Sequence, residues 1–86
     1  MHELSLALEV CRIAEANLDA ASLPRLRRVS VEVGEAANVE IGNLRFCLEA
    51  LLGAPPFGAA TPSITLCPGD DLRLASLEVD DDGPDD

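Results

Sequence analysis

The sequence predicts an α+β fold in which two helices pack on one face of a three-stranded sheet, in the order helix-strand-helix-strand-strand. Two segments carry apolar residues at spacings of three and four, as amphipathic helices do. A third segment alternates apolar and polar residues, which is typical of a strand with one buried face. Two further short apolar segments flank a turn rich in proline and glycine. The chain has 86 residues, a length that suits one domain, which we expect to span residues 1-79.

The first helix is predicted from Glu3 to Ala21. Pro24 follows closely, and the residue before a proline resists helical geometry. Cys11 falls on the apolar stripe, so we expect it to be a small core residue. The stripe consists of Leu4, Ala7, Leu8, Cys11, Ala14, Leu18 and Ala21.

The middle of the chain predicts a strand and a second helix. From Leu26 to Gly34, valines occupy every second position, which predicts a strand with one buried face. The second helix is predicted from about Asn38 to Leu52, with Asn38 as its N-cap. We expect Phe46 to anchor core packing.

Two strands are predicted near the end of the chain, from Ser63 to Cys67 and from Leu72 to Val79. The residues between them, 68-71, read Pro-Gly-Asp-Asp, which favours a tight hairpin between the two strands. In the last strand the apolar phase shifts by one residue between Leu74 and Ala75. This shift predicts a β-bulge.

The composition is strongly acidic and excludes several classes of function. Sixteen acidic residues face six basic ones, for a net charge of -10, and only two residues are aromatic. Such a chain repels phosphate backbones and offers no surface for base stacking, so no nucleic acid partner is expected. No apolar stretch approaches the about 18 residues that a membrane span needs, so we expect no membrane partner and a cytoplasmic protein. Residues 80-86 form an acidic run that we expect to be a disordered tail.

The first residues of the chain can chelate a metal. The Met1 amine, the His2 amide nitrogen and the His2 ring nitrogen can close two adjacent chelate rings on one ion. Nitrogen donors in a plane suit Ni(II) or Cu(II) better than Mg(II) or Ca(II). A fourth donor is the Glu3 amide, the Glu3 carboxylate, water or a partner's ligand. The alternative is a solvated N-terminus with a chance histidine.

Four segments of the chain together form a recognisable pattern. They are the opening Met1-His2-Glu3-Leu4-Ser5-Leu6-Ala7, the strand Val29-Ser30-Val31-Glu32-Val33-Gly34-Glu35, the run Leu44-Arg45-Phe46-Cys47-Leu48-Glu49-Ala50, and the closing strand Leu72-Arg73-Leu74-Ala75-Ser76-Leu77-Glu78-Val79. In these segments the chain resembles the HypA/HybF family of hydrogenase nickel-insertion proteins. The segments occur in the family's order, and the resemblance covers essentially residues 1-79.

The resemblance implies a metallochaperone and not an enzyme. Family members deliver Ni(II), with a GTPase partner, to the large subunit of nickel-iron hydrogenase, and in some organisms to urease. The resemblance places the nickel site at Met1, His2 and Glu3. No nucleophile and base pair and no glycine-rich phosphate loop is visible in the sequence, so no catalytic residue is expected.

One departure from the family is large. Family members insert a zinc-binding segment with two CxxC pairs between the last two strands, and here that segment is absent. Cys67 resembles the remnant of the second pair but has no partner at CxxC spacing, and Cys11 and Cys47 lie on predicted helices. Structural zinc needs four Cys or His ligands held close together, so we expect no structural zinc and three free thiols.

The missing segment leaves a second function open. The alternative to a nickel carrier is an interaction or regulatory protein that keeps the fold, carries no nickel and binds hydrogenase maturation factors. The absent zinc segment favours this alternative, whereas Met1-His2-Glu3 argues against it. For self-association we expect a homodimer that pairs through a bare sheet edge.

Overall fold

A computed structural model describes residues 2-80 and confirms the predicted fold class. The helices are α1 (Glu3–Asn17) and α2 (Ile41–Leu52), and the strands are β1 (Leu26–Gly34), β2 (Thr61–Cys67) and β3 (Leu72–Val79). Short 3-10 turns at Leu23–Arg25 and Glu35–Ala37 flank β1. Within the described residues, no helix has the length and apolar character that crossing a membrane requires.

The sheet has the order β2-β1-β3, with β1 in the centre. Strand β2 runs parallel to β1, with Val31 opposite Ile64, and β3 runs antiparallel to β1. The predicted hairpin between the last two strands is therefore wrong, because β2 and β3 lie on opposite sides of β1. Residues 68-71 cross the end of β1 instead of closing a turn. The Gly34 N–H donates to the Asp71 carbonyl at 2.6 Å, and the Ala36 N–H donates to the Gly69 carbonyl at 2.8 Å.

The predicted bulge in the last strand is confirmed. Ser30 lies opposite Ser76 and Val31 lies opposite Leu74, so Ala75 has no partner of its own on β1. The extra residue reverses the alternation of side chains along β3. Leucines therefore reach the same face of the sheet on both sides of the bulge, and they pack against the core.

The core lies between the helices and one face of the sheet. Small residues of α1, such as Ala7 and Ala14, are fully buried in this core. The predicted stripe of α1 is partly wrong, because Leu4 is 53% exposed and Leu8 is 50% exposed. Cys11 is buried, as expected. The most buried larger side chains are Leu44, Leu48, Leu52, Val10, Val29, Val31 and Val33.

Both predicted helices are too long. Helix α1 ends at Asn17 and not at Ala21, because the chain enters a turn in which the Ser22 N–H donates to Asp19 Oδ1 at 2.9 Å. Helix α2 starts at Ile41, and its N-cap is Glu40, whose side chain accepts the Asn43 N–H.

The predicted N-cap and the predicted core aromatic are also wrong. Asn38 lies before helix α2 in the left-handed region, with a φ of 62°. Phe46 is 68% exposed, whereas Phe57, in the loop after α2, is buried. The Phe46 side chain is excluded from the core because Leu44 and Leu48, two residues away on either side, point inwards.

The predicted acidic tail lies almost entirely outside the described residues. Only Asp80 is described, and its N–H donates to the Arg25 carbonyl at 2.7 Å. The rest of the predicted tail, residues 81-86, is not part of the described chain.

Candidate metal centre

His2 lies directly before α1 and is exposed to solvent. Its backbone is extended, with φ -88° and ψ 113°, and its ring makes no capping hydrogen bond to the helix. Its carbonyl accepts the Leu6 N–H at 3.2 Å, which begins the helical hydrogen bonds. The ring nitrogens of His2 therefore face solvent without a structural role in the helix cap. Met1, the other predicted donor residue, lies outside the described residues.

Glu3 joins the N-terminal ends of the two helices. Its Oε2 atom accepts the Glu40 N–H at 3.0 Å, and its Oε1 atom accepts a hydrogen bond from Asn43 Nδ2 at 3.2 Å. Glu40 Oε1 in turn accepts the Asn43 N–H at 2.7 Å. Three residues, Glu3, Glu40 and Asn43, thus form a closed ring of hydrogen bonds. The ring fixes the start of α1 against the start of α2.

The charges at this point balance one another. The N-terminal end of each helix carries partial positive charge, and Glu3 and Glu40 bring carboxylates to it. The hydrogen bond from the Glu40 N–H is the main cause that lowers the pKa of Glu3 below its ordinary value. Donors that stabilise the carboxylate have this effect because they favour the charged form. Glu3 is therefore ionised at neutral pH and bound to α2.

The described residues hold no ready-made cage of side-chain ligands. No group of three or more His, Cys, Asp or Glu side chains that could hold a metal ion occurs in residues 2-80. Backbone nitrogens are the donors that remain available beside His2, since the first N–H groups of an α-helix have no partner within the helix. A metal site built from backbone nitrogens and the His2 ring, at Met1, His2 and Glu3, remains a prediction.

The three cysteines are free thiols in different environments. Cys11 is buried in the core, and burial is the main cause that raises its pKa. Cys47 on α2 and Cys67 at the end of β2 are half-buried.

Two residues of the hydrogen-bond ring escaped the sequence analysis as site residues. Glu40 and Asn43 are separated from Glu3 by 37 and 40 positions, and only the packing of α1 against α2 brings them together. The local sequence offered one signal, because an acidic residue before an apolar periodic segment is a common helix start.

Comparison with known proteins decides the family. The sequence profile of HypA, described as a hydrogenase/urease nickel-incorporation metallochaperone, matches residues 1–70. The chain belongs to the HypA family. The resemblance is thereby confirmed, and three of its four sequence segments lie within the matched residues. The profile is that of a metallochaperone, which is what the sequence resemblance implied.

Individual HypA proteins are similar along most of the chain. Hydrogenase maturation factor HypA from Azoarcus sp. (strain BH72) is 39% identical over 69 residues, which are 80% of this chain and 60% of the relative. The HypA of Azotobacter vinelandii is 33% identical over 69 residues, with 80% and 61% covered. The chain thus spans about three fifths of the length of these relatives.

A solved structure shows the same fold. The solution structure of the Ni metallochaperone HypA from Helicobacter pylori matches with a TM-score of 0.74 and 17% sequence identity. The match covers 92% of this chain and 97% of the other. At this identity the likeness establishes the arrangement of helices and strands.

Proposed function

We propose that this chain binds one Ni(II) ion at its N-terminus and carries it for hydrogenase maturation. The donors are the Met1 amine, the His2 amide, the His2 ring and the Glu3 amide. The observation that carries the proposal is the position of His2, whose exposed ring precedes α1 while the next residue is held by α2. Membership of a family described by nickel incorporation supports the choice of metal.

The Glu3 carboxylate serves this site by positioning. Both of its oxygens accept hydrogen bonds from residues at the start of α2. A carboxylate held in this way keeps the first turn of α1 in place against α2, and it thereby orients the residues that precede the helix. With the Glu3 side chain engaged in this way, we propose that the Glu3 amide supplies the fourth donor.

The proposed donor set suits a carrier. Binding requires loss of protons from the amine and the amides, so nickel affinity falls steeply as the pH falls. His2 is exposed, and within residues 2-80 no cage of side-chain ligands surrounds it, which favours release to a partner. Cu(II) binds such nitrogen donors more tightly than Ni(II), so selectivity comes from metal supply and from the partner.

The proposed partners follow from the family. The relatives are named hydrogenase maturation factors, and we propose that this chain supplies Ni(II) to the large subunit of nickel-iron hydrogenase together with a maturation GTPase. Urease is the further recipient that the family description includes. We also propose that the chain carries no structural zinc, since Cys11 is buried in the core and the remaining two cysteines lack CxxC spacing.

Calorimetric titration with Ni(II) tests the proposal on protein with its native N-terminus. Wild type is expected to bind about one ion per chain, and His2→Ala is expected to lose binding without loss of helical structure. A second variant with two glycines before Met1 keeps His2 but displaces the terminal amine, so it should also lose binding. Equal affinity in all three proteins would refute the site, and stoichiometric zinc in the purified protein would refute the zinc-free proposal.

A second candidate function rests on exposed apolar side chains near the N-terminus. Leu4 and Leu8 lie one turn apart on α1, and each is about half exposed. Such neighbours suit a contact with a maturation factor that requires no nickel. A binding assay with the maturation GTPase separates the functions. Weaker binding by Leu4→Ser and Leu8→Ser, with His2→Ala equal to wild type, favours the interaction protein.

A further inference from the structure

Strand β3 forms an open edge of the sheet. Its neighbour within the described chain is β1, and no further strand follows on its other side. Open edges carry unpaired backbone groups that can accept a strand from another molecule. The opposite edge, β2, contains Pro62, which has no N–H to donate, whereas β3 contains neither proline nor glycine. Of the two edges, β3 is therefore better suited to pairing.

The hydrogen bonds at the two ends of β3 show which residues face outwards. The Asp71 carbonyl accepts the Gly34 N–H, and the Asp80 N–H donates to the Arg25 carbonyl. Residues 71 and 80 therefore direct their backbone groups towards β1. Because these directions alternate along an antiparallel strand, Leu72 and Val79 direct theirs outwards. By the same alternation, the backbone N–H and C=O groups of Leu74 and Leu77, on either side of the bulge, also point outwards.

The sequence of β3 is self-complementary about its centre. Residues at equal distances from the point between Ala75 and Ser76 form the pairs Leu72 and Val79, Arg73 and Glu78, and Leu74 and Leu77. In a regular strand the members of such pairs would lie on opposite faces. The bulge at Ala75 removes this conflict, because its extra residue brings both members of each pair to the same face.

We propose that the chain forms a two-fold symmetric dimer in which β3 pairs antiparallel with β3 of a second copy. Leu74 then lies opposite Leu77 of the second copy, and Leu72 lies opposite Val79. These are the residues whose backbone groups face outwards, so each pair can exchange both of its N–H···O bonds. A two-fold axis repeats every contact, as isologous dimers require.

Charge complementarity supports a second copy as the occupant. Arg73 bonds Glu32 on β1 at 2.8 Å, and Arg28 on β1 approaches Glu78 at 3.4 Å. Pairing of β3 with β3 places Arg73 beside Glu78 of the second copy. A row of alternating charges then crosses the dimer. It consists of Glu32 and Arg73 of one copy, followed by Glu78 and Arg28 of the second copy. Opposite charges directly across a strand pair stabilise it, and like charges destabilise it.

The apolar face of β3 also gains from a second copy. A cavity of about 390 Å³ between α1 and β3 is lined in part by Leu6, Val10 and Leu74, and one of about 260 Å³ is lined in part by Ile13 and Leu77. Helix α1 therefore covers the leucines of β3 only partly. In the dimer, the leucines of β3 from the second copy lie beside these leucines and extend the apolar surface along the edge of the sheet.

Sedimentation velocity over a concentration series tests the dimer with the full chain. Because one strand edge is a small interface, we expect a dissociation constant of roughly 10 to 100 µM. Arg73→Glu and Glu78→Arg each place like charges across the axis twice, and each should weaken the dimer about tenfold or more. An equimolar mixture of the two variants should restore dimer, since both pairs between the two β3 strands of the mixed dimer are again of opposite charge.

Controls distinguish this interface from others. Arg45→Glu and Glu49→Arg change the same charges on the exposed side of α2 and should leave the dimer unchanged. In wild type, hydrogen exchange at Leu74 and Leu77 should slow as the protein concentration rises. Monomer at every concentration would overturn the proposal and leave the edge to a strand of another protein. A dimer that withstands both charge reversals, or two variants that stay monomeric when mixed, would overturn it as well.

Discussion

Replacing Gly34 with alanine tests the contact between the end of β1 and the loop that joins β2 to β3. A Cβ atom at this position would lie 2.4 Å from the Gly69 carbonyl oxygen and 2.7 Å from the Asp70 nitrogen. Ordinary contacts of a Cβ atom begin at 3.4 Å, so the loop must move by about 1 Å. The displaced loop also carries the acceptors for the Gly34 and Ala36 N–H groups.

These effects set the expected magnitude. Overpacking of a close contact costs about 1–3 kcal/mol, and each weakened hydrogen bond adds about 0.5–1.5 kcal/mol. The lower ends of these ranges add up to about 2 kcal/mol, and because the loop can shift to relieve the contact we expect Gly34→Ala to lower the free energy of unfolding by about 2–3 kcal/mol. For a domain of this size, such a change lowers the melting temperature by roughly 10–20 °C.

Urea unfolding followed by far-ultraviolet circular dichroism measures this change, since the chain has no tryptophan or tyrosine. Gly42→Ala is the matched control, because a Cβ there lies 3.4 Å from Glu40 Oε1 and the residue is inside α2. It should stabilise the protein by about 0.5–1 kcal/mol. A Gly34→Ala protein with wild-type midpoint and slope would show that the loop adapts freely, and the reasoning would fail.

Further predictions concern the site, the core and the thiols. Glu3 has a lowered pKa in the folded protein, so its ionised form stabilises the fold above the ordinary value of 4.5, and this contribution disappears as the pH falls through the lower folded value. Glu3→Gln should therefore be less stable than wild type at pH 7 and converge with it in acid. A constant difference at all pH values would contradict this linkage. Phe57→Ala should cost about 3–5 kcal/mol in urea unfolding, whereas Phe46→Ala, at an exposed position, should stay within about 0.5 kcal/mol. Equal losses in both variants would mean that the assignment of the core aromatic is wrong. Cys11 should react with maleimide more slowly than Cys47, because it is buried and its pKa is raised. Mass spectrometry of digested, partly labelled protein checks this order, and faster labelling of Cys11 would count against it.

The sequence predicted those elements whose pattern has one physical cause. Strand β1 was predicted with the observed bounds, Leu26 to Gly34, because its valines alternate and a one-residue slip would expose all of them. The bulge at Ala75 was predicted for the same reason. In both cases burial of one sheet face dictates which residues are apolar.

The missed features depend on contacts between distant segments. The Pro-Gly-Asp-Asp stretch, residues 68-71, favours a turn locally, but the valines of β1 are buried in the centre of the sheet and separate the two strands that flank it. Asn38 has the side chain of an N-cap, yet Glu40 takes that role because it also meets Glu3. Phe46 was predictable from spacing, since it lies two residues from both Leu44 and Leu48 and hence on the opposite side of α2.

The candidate site was predicted only in its local part. The proposed chelating nitrogens follow from the order Met1, His2, Glu3, which sequence alone can show. The bonds of Glu3 to Glu40 and Asn43 depend on how closely α1 packs against α2. No local pattern contains this information.

Because β1 is the central strand, the chain can accept an insertion in the loop that joins β2 to β3. Strands β2 and β3 are each aligned by β1. A sequence can enter between Gly69 and Asp70 and leave every strand pair as it is, provided that its two ends stay close together and keep the Gly69 and Asp71 carbonyls bonded to the Ala36 and Gly34 N–H groups. Related chains can therefore differ by an entire module at this loop and share one sheet. The same loop is suited to the insertion of a fluorescent reporter or an affinity tag.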